Sequence, residues 1–317
     1  MRQIPLLSGF FDFLTAPNLP RTSLSISESH LSIITLRRKG RDFEPRNLGV
    51  LKLSGGIVRA SFTEPNISNE PVLIEHLSKT ASQAGMKNVR MLNVTLPPGS
   101  ARCMVAALDS VPGSRAELAQ MIEWKAERGT GQKIGDLRIS HSRLSDINGR
   151  PQYLISAVTE QVITQYERVF QSLGWQVGMI APQSIGEAQW LMRQGLADDQ
   201  VVVSMREQGF DAVIVRGKEP LLVREVECAP EDRENEFFRL MVFYRDRLAL
   251  EGANAPLSRA LMIGGAAEQR RFREVLASAM DRNVIALDPP QIGLRVDPTA
   301  PFNYFAAAGG LATMAWG

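Results

Sequence analysis

Through SLSIS (23–27) apolar and polar residues alternate with a period of two. Leu24 and Ile26 fall on one face and serines on the other, which predicts a strand. The alternation continues through Leu31, Ile33 and Leu36. RKGRDFEPRN (38–47) predicts a turn, and Leu48–Leu53 and Ile57–Phe62 predict two further strands around Gly55-Gly56. Over 71–84 the spacing becomes helical, with Val72, Ile74, Leu77 and Ala81 on or near one face. Val89–Leu96 predicts a strand closed by Pro97-Pro98, and Ala101–Ala107 another. Ser114 and Glu117 then form a capping box, in which each side chain satisfies an orphan backbone N–H of a helix's first turn. Leu118, Met121, Ile122 and Ala126 share a face of that helix, and Gly129 is expected to end it. Trp124 lies off that face, as a contact with a neighbouring subdomain or as a partner site.

Leu137–Leu144 and Tyr153–Val158 predict a hairpin turning at Asp146–Gly149. Helix 160–173 has a continuous apolar stripe and stops at Gly174. Strand 175–180 follows, then a second capping box, Ser184 to Glu187, and a helix ending at Gly195. GLADDQ (195–200) reads as a boundary, because the opening pattern then repeats. VVVSM (201–205), FDAVIVR (210–216) and PLLVREV (220–226) predict three strands, and an amphipathic helix carries Phe237, Phe238, Met241, Tyr244 and Leu248. LMIGGAAEQRRF (261–272) is a strand, a glycine pair and a helix start. A strand at Asn283–Leu287 and a last helix, FNYFAAAGGLATM, complete the chain. A three-strand meander followed by helix, strand and helix thus occurs at 22–84 and again at 201–281.

Bulk composition narrows the function classes. The 317 residues suffice for one large domain or two modest ones. A formal net charge of +2, with no dense Lys/Arg tract, argues against a nucleic-acid binder. Cys103 and Cys228 have no metal spacing, and His30, His76 and His141 form no ligand pattern, so no metal site is expected. No stretch reaches the ~20 apolar residues of a membrane span. The apolar start, MRQIPLLSGFFDFLTAPNLP, is broken by Ser8-Gly9 and Asp12, and no cleavage site follows, so it reads as an apolar tail rather than a signal peptide.

Two βββ-α-β-α halves with an insert in the first resemble the actin/Hsp70/sugar-kinase superfamily. Within it, the chain resembles the PilM family of type IV pilus assembly proteins, relatives of FtsA. The resemblance rests on FFDFLTAPNLPRTSLSIS at the start and on LNVTLPPGSARCMVAALDSVPGSRAELAQMIEWKAER in the insert. It continues through AVTEQVITQYERVFQSLGWQVGMIAPQSIGEAQWL, LMIGGAA and FAAAGGLATM. It implies an α/β chain with a duplicated actin-like, RNase H-like fold. The expected division is a tail at 1–21, a first domain at 22–199 and a second at 200–317. The first domain has its core in 22–86 and 174–199 and an inserted α+β subdomain at 87–173.

Nucleotide-binding members of that superfamily begin each half with Asp-Ile-Gly. The aspartate holds the magnesium shell, and the glycine lets backbone N–H groups reach the phosphates. Here the first copy reads Ser25-Ile26-Ser27 and the second Ser204-Met205-Arg206. Neither supplies a carboxylate, and both glycine positions carry a β-carbon. Arg206 would pair with an anion or with a carboxylate such as Glu207 or Glu225. Glu28 and Asp211 are the carboxylates that a register shift of one or two residues would bring in. Only Gly264 and Gly265 match the adenosine side. Phosphoryl transfer depends on positioning and electrostatics, so ATP hydrolysis is expected to be lost, and no cofactor is expected.

The resemblance therefore implies a cytoplasmic scaffold on the inner face of the inner membrane. It would reach the membrane through the cytosolic tail of a bitopic, PilN-like partner, alongside other pilus platform proteins or further copies of itself. Residues 91–96, 101–107 and 115–128 are the expected peptide groove. The alternatives are an active Mg-ATP-dependent actin-like switch or filament protein, and the cytoplasmic part of a type II secretion platform protein (GspL-like). The latter normally continues into a membrane span, and none precedes Gly317, which favours the pilus type.

Overall fold

The computed structural model describes residues 19–86, 88–248 and 257–316. The apolar N-terminal segment before Leu19 lies outside them. The first half opens with an antiparallel meander, β1 (Thr22–Ile26), β2 (His30–Lys39) and β3 (Asp42–Lys52). Helix α1 (Glu70–Gln83) starts where the Asn69 side chain accepts the Val72 N–H at 3.2 Å. It leads to β4 (Met91–Leu96), which runs parallel to β1. The insert follows as β5 (Arg102–Ala107), α2 (Arg115–Thr130), β6 (Leu137–Ile147) and β7 (Arg150–Thr159). Helix α3 (Glu160–Ser172), β8 (Gln176–Pro182) and α4 (Gln183–Met192) complete this half.

The second half has β9 (Leu196–Arg206), β10 (Gly209–Gly217), β11 (Glu219–Val226) and α5 (Arg233–Phe243). Then come β12 (Arg259–Ile263), α6 (Ala266–Met280), β13 (Ile285–Leu287) and α7 (Phe302–Thr313). Its sheet order, β11-β10-β9-β12-β13, repeats the first sheet's β3-β2-β1-β4-β8 strand for strand. The repeat read from the sequence is therefore a structural duplication.

Alternation along the strands creates the layers. Leu24 and Ile26 point outward into a core shared with α1 and α3, where Leu73, Leu77, Tyr166 and Phe170 are buried. In the second sheet Val201 and Val203 point to α5 and α6, meeting Phe237, Phe272 and Leu276. A third core lies between the two sheets around α4 and α7. These two helices exchange sides. Helix α4, from the first half, packs on β9 and β10, whereas α7, from the second, packs on β1, β2 and β4. They cross at glycines, with Gly310 so near Gly186 that a Cβ on it would stand 1.9 Å from the Gly186 carbonyl oxygen. Trp190 Nε1 donates to the Ala306 carbonyl at 2.8 Å and seals the crossing.

Several expectations are corrected. Residues 38–47 are no loop: β2 and β3 pair to Lys39–Asp42, turning through Gly40 at φ 66°. Arg37 and Glu44 face each other across the ladder at 2.8 Å, so polar strand ends read as a turn. Residues 57–62 form no strand beyond a bridge from Val58 to Ile67. Their apolar side chains are buried by loop packing instead. Helix α2 passes through Gly129 and ends at Gly131, whose φ of 71° provides the left-handed cap.

Helix α4 begins at Gln183, so Ser184 and Glu187 make no capping box, and both are buried inside the molecule. Because β4 belongs to the first sheet and α3 to the first half's outer core, the insert packs as a unit only from β5 to β7. Strand β9 already begins at Leu196, within the expected boundary. No helix among the described residues is long and apolar enough to cross a membrane.

Candidate functional site

A cavity of about 1120 Å³ lies between the halves. Ser27, Ser204, Arg206 and Gly264 line it, together with Glu28, His30, Arg102, Met205 and Tyr304. Four of the six residues named from the sequence thus converge on one cleft. Ser25 and Gly265 are not among its lining residues. Ser25 sits within β1 between Ser32 and Thr95, on the same side as the polar residues under α7, and is 2% exposed. The size would admit a nucleotide, so the chemistry of the walls matters.

On the first wall, Ser27 closes the β1–β2 turn. Its hydroxyl donates to the His30 carbonyl at 2.9 Å and accepts the His30 N–H at 3.0 Å. His30 Nδ1 lies 2.8 Å from the same hydroxyl, and Nε2 lies 3.1 Å from the Tyr304 carbonyl oxygen. Burial lowers the His30 pKa to about 4, so the ring is neutral at physiological pH. Glu28, the nearest carboxylate, accepts the Ala60 N–H at 2.6 Å. The Ser27 and His30 backbone N–H groups are thus held within the turn.

On the second wall, Ser204 donates to Glu187 Oε1 at 3.1 Å, and Gln183 Nε2 donates to the same oxygen at 3.0 Å. Glu187 is 1% exposed, and burial raises its pKa to about 7 against those two hydrogen bonds. Antiparallel register sets Ser204 beside Asp211, and Asp211 beside Glu225. Arg206 pairs with Asp211 at 2.9 Å, and neither Glu207 nor Glu225 is its partner. Burial pushes Asp211 well above the ordinary carboxylate range even with that arginine beside it, and pushes Glu225 up as well. Arg102 reaches from the insert to Glu225 at 2.8 Å. Glu187, Asp211 and Glu225 are therefore engaged by neighbouring arginines, a serine and a glutamine, while Glu207 is exposed at the cavity wall. Among the described residues no cluster of His, Cys, Asp or Glu could hold a metal ion.

The glycine pair is occupied in the same sense. Gly264 has φ 154°, and Met205 packs on it so closely that a Cβ there would lie 3.0 Å from the Met205 sulfur. Gly265 caps α6, and its N–H donates to Glu268 Oε2 at 3.3 Å. Glu268 thus places a carboxylate at the positive helix end where a phosphate would otherwise be attracted. Arg233 holds that carboxylate at 2.8 Å and donates to the Arg206 carbonyl at 2.6 Å, joining the two sides of the motif. These residues do not fit a magnesium–triphosphate group.

Glu187, Met205 and Glu268 were missed in the sequence. The spacing of Ser184 and Glu187 suggested a cap, and Glu268 is visible only as an acid three residues after a glycine. Trp124 lies on α2 of the insert. It is 48% exposed, with the Arg128 guanidinium 5.3 Å from its ring centre.

No protein-family model matches the sequence, and no curated protein is similar to it. Solved structures are similar in fold. A chain of a PilM–PilN type IV pilus biogenesis complex superposes with a TM-score of 0.75 at 15% identity, covering 94% of this chain and 99% of that one. A Bacteroides thetaiotaomicron protein with actin-like ATPase fold and unknown function gives 0.50 at 11% identity, covering 95% and 98%. The cytoplasmic domain of EpsL, an inner-membrane component of the Vibrio cholerae type II secretion system, gives 0.47 at 12% identity, covering 93% of each. Paired five-stranded sheets of one strand order, crossed central helices and end-to-end superposition together show that the chain has the duplicated actin-like fold, with an α+β insert in its first half.

Proposed function

We propose that the chain is a PilM-like scaffold of a type IV pilus, or related, inner-membrane assembly platform. It works at the cytoplasmic face of that membrane by binding the cytosolic tail of a bitopic, PilN-like protein, and it does not hydrolyse ATP. The observation that carries this reading is the likeness, over nearly the whole of both chains, to a chain of the PilM–PilN complex. The walls of the cleft support the second part. Their polar groups are engaged with one another instead, across the halves in the Ser204–Glu187 and Arg102–Glu225 contacts and within the second half in the Arg206–Asp211 and Arg233–Glu268 pairs.

The peptide-binding surface is narrower than 91–96, 101–107 and 115–128 together. Strand β4 lies inside the first sheet between β1 and β8, so it has no free edge to offer. Helix α2 remains accessible, and beside it a cavity of about 350 Å³ is lined by Trp124, Met121, Gln120 and Glu117. A large exposed aromatic over an apolar floor suits an apolar anchor from an extended peptide.

The test is capture of bitopic membrane proteins encoded beside this chain, using their cytosolic tails as peptides. One tail is expected to bind, and Trp124→Ala to weaken it roughly tenfold. Failure of every such tail to bind would overturn the reading.

A further inference from the structure

The two halves are joined differently at the two ends of the molecule. Strand β2 runs from His30 at the cleft to Lys39 at the far end, about 30 Å away. At the far end the join is made by backbone. The Phe43 N–H donates to the Gly293 carbonyl and the Arg295 N–H to the Phe43 carbonyl, both at 2.8 Å. Arg193 fastens the same junction. It donates to the Ile292 and Arg41 carbonyls at 2.9 Å, and its guanidinium lies 4.4 Å from the Phe43 ring centre.

At the cleft the join is made by side chains, and it comes from the insert. Among the described residues the ion pairs that span the cleft are both made by Arg102 of β5, with Glu225 at 2.8 Å and Glu227 at 3.8 Å. The first half steadies that guanidinium, which lies 5.3 Å from the Phe62 ring centre. Beside it Cys103, Val105 and Leu154 rest on the core between the sheets. Farther along, the seat is incomplete. A cavity of about 260 Å³ lies among Leu144 and Ile147 of the insert and Pro220 and Leu221 of β11, where the Ser145 N–H reaches Glu219 Oε2 at 2.8 Å.

We propose that the insert is a strap across the cleft, fastened by Arg102, and that the cleft opens by rotation about the far junction when Glu225 is charged and Arg102 is gone from it. Buried charge supplies the force. Glu225 sits beside Asp211 on the β10–β11 ladder, and Arg206 is already paired with Asp211. Without Arg102, Glu225 would be a buried carboxylate short of a counter-charge, a state costly enough to favour its hydration. Water reaches it when β5 lifts from β11. The far junction, held by its backbone bonds, stays closed and serves as the hinge.

Spin labels on Lys52→Cys and Glu207→Cys, exposed positions on opposite walls of the cleft, measure its width in the full chain carrying Cys228→Ser. Cys103 is buried and stays unlabelled. At about pH 8, where a lone carboxylate keeps its charge, Arg102→Met is expected to lengthen the distance by about 5 Å or more. Methionine keeps a straight apolar stem to pack on Phe62. Arg102→Met combined with Glu225→Gln leaves no charge to hydrate and is expected to return the distance to its original value. Hydrogen exchange at the Phe43 and Arg295 amides is expected to be alike in all three chains. An unchanged distance in Arg102→Met would overturn the proposal. A double variant as open as the single one would also overturn it, because lost packing rather than freed charge would then be the cause. Faster exchange at Phe43 and Arg295 would do the same, as a sign of general loosening.

Discussion

Gly310→Ala is expected to destabilise the protein by about 3 kcal/mol or more, at the upper end for an overpacked core. The new Cβ would stand 1.9 Å from the Gly186 carbonyl oxygen and 3.1 Å from Trp190 Nε1. Neither neighbour has room to move. The oxygen belongs to the backbone of α4, and Trp190 is fully buried and held by its hydrogen bond to the Ala306 carbonyl. Relief requires α4 and α7 to separate, and these helices fill the space between the two sheets. The measurement is the midpoint of denaturant unfolding. Gly55→Ala is the control, since nothing lies within 4 Å of its added Cβ. Equal midpoints for the two variants would contradict the packing described here.

The second large effect is electrostatic. Glu187 has a folded-state pKa of about 7 against an ordinary value of 4.5, chiefly because burial penalises its charge. Between those values the native state holds a proton that the unfolded chain has lost. Stability therefore falls as pH rises through about 4.5 to 7 and is flat above. Glu187→Gln keeps an amide oxygen for Ser204 and Gln183 and has no proton to lose. Relative to the parent chain, the variant should gain on the order of 3 kcal/mol across that window.

The difference between the two chains is the quantity to measure, by urea unfolding at successive pH values. His30 alone would produce the opposite trend in each, because its folded pKa of about 4 lies below the ordinary 6.5. A difference that stays constant from pH 4.5 to 7 would show that Glu187 is not desolvated as described.

The duplicated meanders were legible because each strand writes its burial directly into its own alternation, as Leu24 and Ile26 do. The helix exchange was not. Helices α4 and α7 each pack on the sheet of the other half, and no local pattern records which distant sheet a helix meets. Loop 57–62 misled for a related reason, since buried apolar residues look the same in a strand and in a packed loop.

Within the cleft, Ser27, Ser204, Arg206 and Gly264 were legible through motif matching, and they line one cavity. Their partners were not. The Arg206–Asp211 pair depends on β9–β10 register, and Glu187 reaches Ser204 only because α4 lies under the second sheet. Ser25 and Gly265 fell just beyond the cavity because Ser25, on the same side as Ser27, lies deeper within β1 and Gly265 sits at the cap of α6.

The central proposal is that the cleft's polar residues are engaged with one another, across and within the two halves, and leave no site for Mg-ATP. Calorimetric titration of the purified full chain with ATP, with and without magnesium, tests it most directly. No saturable heat up to millimolar ATP is expected under either condition. Micromolar, magnesium-dependent binding would contradict the claim and make the chain a nucleotide-responsive actin-like protein.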